Sequence, residues 1–100
     1  MAGTKREGIV FSGNDYESVT VADTAIGCTA AKAARAELAF ITAETAQMRF
    51  RYDGTAPTAT EGHVLEPGET LTLKGTLNVQ NFLAIRTSAT SGVLRITYEV

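Results

Sequence analysis

Apolar and polar side chains alternate with a period of two along much of the chain. Successive side chains of a β-strand point to opposite faces of a sheet, so this period predicts strands that each bury one face. The alternation is clearest in segments 47–52, 70–74 and 93–100. Weaker patterns predict further strands at 16–21, 25–29 and 82–87. In the clearest segment the apolar phase consists of Leu94, Ile96, Tyr98 and Val100.

Residues 30–39 allow two interpretations. Their alanine-rich composition favours a helix, but Leu38 is the only large apolar side chain before Phe40, so a helix would have little apolar surface to bury. No helix stop signal precedes Phe40. We therefore predict a strand over 35–43, and a helix over 30–37 remains the alternative.

Turn signals separate the predicted strands. Residues 44–46 and 88–92 are short connections that predict hairpins. Residues 66–69 read Glu-Pro-Gly-Glu, which predicts a type II turn because proline presets φ and the following glycine allows a positive φ. Residues 55–62 contain no large apolar side chain and predict an exposed loop.

These segments together predict an all-β domain of six to eight short strands, spaced about ten residues apart. The expected arrangement is an antiparallel β-sandwich or a jelly-roll-like barrel over residues 16–100. Residues 1–15 contain three glycines and charges of both signs, and we expect them to form a flexible N-terminal arm. Its one apolar patch, Ile9-Val10-Phe11, is expected to add a strand to a neighbouring subunit or to fold back on its own domain.

Composition narrows the classes of function. The 100 residues carry a formal net charge of −2 at pH 7, whereas nucleic-acid-binding proteins usually carry a basic excess. The chain has no run of about 18 apolar residues that would predict a membrane span. Its first residues lack the apolar stretch of a secretory signal. We therefore expect synthesis in the cytoplasm and neither a nucleic-acid nor a membrane partner.

The residues that could carry chemistry are few. Cys28 is the only cysteine, which excludes a disulfide within the chain, and its small and apolar neighbours predict a buried side chain. His63 is the only histidine and is interpreted as a solvated or interface side chain. Glu66 and Glu69 flank a turn without apolar neighbours that would raise a pKa. We predict no catalytic residue, cofactor or metal site, with a small hydrolase built on His63 or Glu66 as an alternative.

Two arginines share one face of a predicted strand. Arg49 and Arg51 could bind an acidic group of a partner, or they could solubilise the face and pair across strands. Because the chain is acidic overall, we favour a protein partner over nucleic acid. The predicted partner-binding residues are Ile9, Val10, Phe11, Arg49, Arg51 and His63.

Four segments also carry a family resemblance through their order and spacing. They are Arg49-Phe-Arg-Tyr-Asp-Gly-Thr-Ala-Pro-Thr-Ala-Thr-Glu-Gly-His63, Leu65-Glu-Pro-Gly-Glu69, Phe82-Leu-Ala-Ile-Arg86 and Leu94-Arg-Ile-Thr-Tyr98. Together they resemble small proteins encoded among the structural genes of tailed bacteriophages. The resemblance covers the chain from about Arg35 to Val100 and consists of scaffold motifs, not catalytic ones.

The resemblance implies a non-enzymatic structural protein of a phage virion, which decorates or stabilises the capsid through protein–protein contacts. Its implied partners are the major capsid protein or other virion proteins. A homo-oligomer is expected as well, since a small domain gains stability by association. The alternatives are a tail or connector accessory protein and a β-sandwich module that binds carbohydrate or a host surface. Fold alone cannot choose among these.

Overall fold

The structure, a computed structural model, describes residues 10–100. In chain order the elements are β1 Gly13–Val21, β2 Ile26–Gly27, α1 Ala30–Ala33, β3 Leu38–Glu44, β4 Met48–Arg51, β5 His63–Leu65, β6 Thr70–Lys74, α2 Thr76–Asn81, β7 Leu83–Arg86 and β8 Gly92–Glu99. The strands pair antiparallel in two four-stranded sheets, sheet A in the order β1-β8-β3-β6 and sheet B in the order β2-β7-β4-β5. Within residues 10–100, neither helix has the length and apolar character that a membrane span requires.

The two sheets form a β-sandwich, which confirms the predicted all-β class; the sandwich is not a closed barrel. Eight strands divided between two sheets, with repeated crossings from one sheet to the other, give the layout of a double-sheet jelly roll. Each large apolar side chain buried between the sheets contributes roughly 1.5–3 kcal/mol. The largest fully buried side chains are Tyr98, Phe82, Ile41, Met48, Leu94, Ile96, Val21 and Val79.

The clearest sequence pattern belongs to β8, the inner strand between β1 and β3. Leu94, Ile96 and Tyr98 are each at most 1% exposed, as their phase predicts. In register, Ile96 lies between Glu17 of β1 and Ile41 of β3. β8 is hydrogen-bonded along both edges and buried on one face. Because its side chains alternate between the buried and the exposed face, a strand in this position gives the strongest period of two.

Residues 30–39 contain both of the structures that their composition allows. The segment 30–33 is helical and β3 starts at Leu38, so the strand predicted from residue 35 is wrong over its first three residues. Ala33 and Ala36, each 1% exposed, pack against the core. Their small side chains let the backbone approach closely, so this helical turn is held by close packing rather than by a wide apolar stripe.

Two connections predicted as hairpins are instead crossings between the sheets. The first joins β3 of sheet A to β4 of sheet B, and the second joins β7 of sheet B to β8 of sheet A. Both kinds of connection use short polar segments, so the sequence signal does not distinguish them. The first crossing includes Thr45 at a φ of 81°, a conformation that is uncommon for a residue with a branched side chain.

The helix α2 was not predicted. The amide of Val79 donates to the Gly75 carbonyl, and the Val79 side chain is fully buried. The hydroxyl of Thr76 donates to the Ala36 carbonyl at 2.6 Å, which fixes the start of the helix. No side chain caps this helix and no charged residue lies in its first or last turn, so its sequence carries no helix signal.

The turn at 66–69 is confirmed. The amide of Glu69 donates to the carbonyl of Glu66 at 3.0 Å, and Gly68 has a φ of 92°. In contrast to the predicted boundary of the arm, β1 begins at Gly13, so the last residues of segment 1–15 belong to sheet A.

Candidate functional site

The chain enters sheet A beside the last residue of the sequence. Ser12 and Val100 exchange two backbone hydrogen bonds of 3.0 Å each, which extend the pairing of β1 with β8. Val10 is 83% exposed just before this point, and Phe11 is half-buried. Of the predicted partner-binding patch, Ile9 lies outside the described residues.

A groove of about 490 Å³ opens at this end of the sandwich. Phe11 and Leu38 supply apolar walls, while Glu37 and Lys74 add one charge of each sign. Leu77, which follows the groove residue Thr76 in α2, is 67% exposed. The groove therefore combines two apolar walls with polar groups that can fix the orientation of a partner.

The outer face of sheet A continues this apolar surface away from the groove. The strand register aligns Tyr16 of β1 with Thr97 of β8 and Thr97 with Phe40 of β3. Tyr16 is 54% exposed and Phe40 is 40% exposed. Leu38 and Phe40 are two positions apart on β3 and so face the same way. We call this region the sheet A surface and define it by Val10, Phe11, Tyr16, Leu38 and Phe40.

On sheet B, Arg49 is used inside the molecule. Its side chain lies on the outer face of β4 and donates from Nε to the carbonyl of Ala59 at 3.2 Å and from Nη1 to that of Gly62 at 2.7 Å. These bonds fold the loop between β4 and β5 back onto the sheet. Pro57 in that loop is buried, so one residue of the predicted exposed loop 55–62 departs from the prediction.

Arg51 forms a two-bond ion pair with Asp53. The Nε–Oδ1 distance is 3.1 Å and the Nη2–Oδ2 distance is 2.6 Å. The hydrogen bonds from Arg51 lower the pKa of Asp53 to about 2, and the same pairing raises the pKa of Arg51. Asp53 Oδ1 also accepts the amide of Thr55 at 3.4 Å, so the ion pair fixes the start of the loop.

His63 belongs to a cluster of aromatic rings that reaches from the core to the surface. Phe82 is fully buried and its ring centroid is 5.8 Å from that of Phe50. The ring centroid of Phe50 is in turn 5.3 Å from that of His63 and 6.3 Å from that of Tyr52. His63 and Tyr52 are both exposed. They help to form a groove of about 520 Å³, which we call the loop groove, lined by Arg51, Tyr52, Asp53, Glu61, Gly62 and His63.

A polar cluster around Glu17 escaped the sequence analysis. The Glu17 carboxylate accepts hydrogen bonds from the Thr29 amide at 3.0 Å, from the Thr29 hydroxyl at 2.6 Å and from the Tyr98 hydroxyl. Burial acts to raise the pKa of Glu17, but these hydrogen bonds outweigh it and hold the pKa below its usual value. In the sequence Glu17 shares its phase with Val19 and Val21, which places it on the inward face of its strand, but nothing local indicates its partners Thr29 and Tyr98.

Cys28 lies next to this cluster and packs against the core at intermediate exposure, short of the full burial that was predicted. Burial raises the pKa of its thiol, and the charge of Glu17 raises it further, although a hydrogen bond with Tyr98 acts in the other direction. Burial also raises the pKa of Tyr98. The cluster therefore keeps its thiol and phenol protonated at neutral pH, which suits a structural network rather than a nucleophile.

Two further acidic residues, Glu66 and Glu69, form hydrogen bonds at the turn after β5. Glu69 Oε1 accepts the amide of Glu66 at 2.7 Å, and Glu66 Oε2 accepts the side-chain amide of Gln47 at 2.8 Å. Within residues 10–100 no three side chains of His, Cys, Asp or Glu come together in a way that could hold a metal ion.

Comparisons of the chain with protein-family models, with curated proteins and with solved structures gave no match.

Proposed function

We propose that the chain is a non-enzymatic structural protein of a bacteriophage virion, which decorates or stabilises the capsid through protein–protein contacts. The sheet A surface carries this proposal. Exposed apolar side chains gather there from β1, β3 and the residues before β1, next to a groove with apolar walls. Contiguous apolar surface on a small domain is typical of a site that another protein covers.

The physical basis is the burial of this surface in an assembly. Removing apolar surface from water contributes roughly 25 cal/mol per Å². The polar groups beside it are already oriented: Arg95 donates to Glu44 at 3.1 Å and to Ser18 at 2.9 Å on the same outer face. A paired and oriented rim loses less conformational freedom when a partner binds.

The segment just before β1, at the base of the N-terminal arm, supports a second protein–protein contact. β1 is an edge strand of sheet A, and the pairing of Ser12 with Val100 continues that edge. A chain that leaves the domain along a sheet edge is suited to strand addition with a neighbouring subunit. This favours contacts between copies of the chain as well as contacts with the capsid protein.

The decisive experiment is co-sedimentation of the purified chain with capsids produced from the genome that encodes it. Phe40→Lys places a charge in the sheet A surface and should abolish co-sedimentation. Val64→Lys is the matched control, because Val64 is 42% exposed against 40% for Phe40 and also lies on an outer sheet face. Equal binding by the Phe40→Lys variant and the unmodified chain, or no binding of the chain to capsids, would overturn the proposal.

The contribution of the arm is tested by removing residues 1–11. The deletion must stop there because Ser12 already pairs with Val100. We expect the shortened chain to stay folded by circular dichroism and to lose self-association in light scattering. Unchanged association would rule out strand addition by the arm, together with any contribution of Val10 and Phe11 to the contact.

A further inference from the structure

We infer that the loop groove binds a neutral saccharide through one pyranose ring. This site lies on sheet B and takes no part in the protein contacts proposed for sheet A. It would add a glycan-binding function to a protein whose proposed role is assembly. Either proposal can therefore fail without the other.

The first argument is the aromatic surface of the groove. Tyr52 is 41% exposed and its ring lies 6.3 Å from that of His63, with an angle of 28° between the two planes. The two rings are thus close to parallel, and both are exposed and line the groove, so each offers apolar ring surface to a ligand. The C–H face of a pyranose ring is a flat apolar surface of matching kind, and aromatic rings bury such surfaces well.

The second argument is that this surface is rigid. Phe50 is 7% exposed and contacts both Tyr52 and His63, and behind it lies the fully buried Phe82. On the other side, Arg49 and the Arg51–Asp53 ion pair fix the loop. A site that is already ordered loses little conformational entropy when a ligand binds, so less of the binding free energy is lost to ordering.

The third argument is the balance of charge. The groove contains one guanidinium, from Arg51, and two carboxylates, from Asp53 and Glu61. Excess negative charge disfavours phosphate, sulfate and nucleic acid, while the guanidinium disfavours a cationic ligand. The carboxylates accept hydrogen bonds and the guanidinium donates them. Because each hydroxyl group of a sugar is both a donor and an acceptor, these side chains can bind neighbouring hydroxyl groups.

The size of the groove agrees with this ligand class. Its volume of about 520 Å³ lies within the range of roughly 300–1,000 Å³ that is typical of small-molecule sites. The groove is open to solvent, and within residues 10–100 its only aromatic lining residues are Tyr52 and His63. We therefore expect a weak site, with a Kd on the order of 1 mM for one sugar ring.

The test is titration of the uniformly ¹⁵N-labelled full chain, followed by amide chemical shifts. The probes are glucose, galactose and N-acetylglucosamine together with cellobiose, lactose and chitobiose, which separate a free sugar from the end of a glycan chain. Inorganic phosphate and free lysine are the charged comparators. We expect at least one saccharide to shift the amides of residues 51–53 and 61–63 in a saturable way, and neither comparator to do so.

The variants Tyr52→Ala and Glu61→Ala should each weaken the binding about tenfold or more. Tyr16→Ala, which removes an exposed tyrosine from sheet A, should leave it unchanged. The spectra also show whether each variant is folded. Two independent variants are used so that the test still works if one of them does not fold. The inference is overturned if no saccharide shifts the groove amides, if phosphate or lysine alone does, or if both groove variants bind like the unmodified chain.

Discussion

At the scale of single residues, Glu17 joins three parts of the molecule. Its carboxylate accepts hydrogen bonds from Thr29, which precedes α1, and from Tyr98 of β8, while its own backbone belongs to β1. A buried phenol needs a partner, because an unpaired polar group away from water costs on the order of 1–3 kcal/mol. Glu17 satisfies that phenol and fixes the segment that leads to α1 at the same time.

Replacing Glu17 by glutamine should destabilise the domain by about 1–2 kcal/mol. The amide keeps one acceptor oxygen but turns an NH₂ group towards a donor, so one hydrogen bond is lost. Urea denaturation at neutral pH measures the change. Glu61→Gln is the control, since the Glu61 carboxyl makes no hydrogen bond within the described part of the chain, and its effect should stay within about 0.5 kcal/mol. Equal stabilities of the two variants would contradict this account of Glu17.

At the scale of elements, Arg49 holds the middle of the loop between β4 and β5 against the strand beneath it, while the Arg51–Asp53 ion pair fixes the start of the loop. The guanidinium of Arg49 reaches two carbonyls, those of Ala59 and Gly62, with a geometry that a lysine could not reproduce. Within the loop, Thr58 and Glu61 exchange two backbone hydrogen bonds, at 2.9 Å and 3.3 Å. The loop is thus a packed part of the domain.

Arg49→Met should release this loop while leaving the sandwich folded. We expect amide hydrogen exchange in residues 55–62 to accelerate about tenfold, which corresponds to about 1.4 kcal/mol of local stability. Arg35→Met is the matched control, because the Arg35 side chain is 68% exposed and approaches Asp15 only to 3.8 Å. If exchange in the loop is the same in both variants, Arg49 does not hold the loop.

The elements also show what the sequence could and could not predict. Periodicity predicted β8 and the faces of β4, because burial acts on every second residue there. Periodicity does not assign strands to sheets, and for this reason the prediction of hairpins after β3 and β7 is wrong. Neither α1 nor α2 has a side-chain cap, and both are too short for an apolar stripe. The start of α2 depends instead on the hydrogen bond of Thr76 with Ala36, which is distant in sequence. The ordering of the loop between β4 and β5 also depends on hydrogen bonds that do not follow from the local sequence, those of Arg49 with Ala59 and Gly62.

The candidate sites were predicted less completely than the fold. Phe11 and His63 do line grooves, and Val10 is exposed, but these facts alone do not establish partner binding. Arg49 and Arg51 share a face as the alternation predicts, yet their charges are engaged within the molecule. Sequence shows which residues can bind a partner, while their intramolecular bonds appear only once the fold brings distant residues together.

At the scale of the whole molecule, carboxylates link the stability of the fold to pH. The pKa of Asp15 is lowered by its hydrogen bond with Lys32, that of Glu17 by Thr29 and Tyr98, and that of Asp53 to about 2 by Arg51. A carboxyl whose pKa is lower in the folded state stabilises the fold above its unfolded pKa, which is 3.8 for Asp and 4.5 for Glu. That contribution is lost as the pH falls through the folded pKa.

The free energy of unfolding should therefore stay nearly constant from neutral pH to about pH 5 and then fall towards about pH 2. Urea denaturation across this range measures it. The Glu17→Gln variant should lose less stability over the same interval, because one of the titrating groups is gone. Equal stability at neutral pH and at about pH 3, or an identical decline in the variant, would contradict the assignment of these carboxylates.

The place of β8 between β1 and β3 has a consequence for the order of folding. Among the described residues β1 pairs with β8 alone, and the hydrogen bond from Tyr98 to Glu17 spans 81 positions. Pairing across so long a separation loses chain entropy before it gains contacts. We therefore expect the joining of β1 to the rest of sheet A through β8 to be a late and slow step of folding.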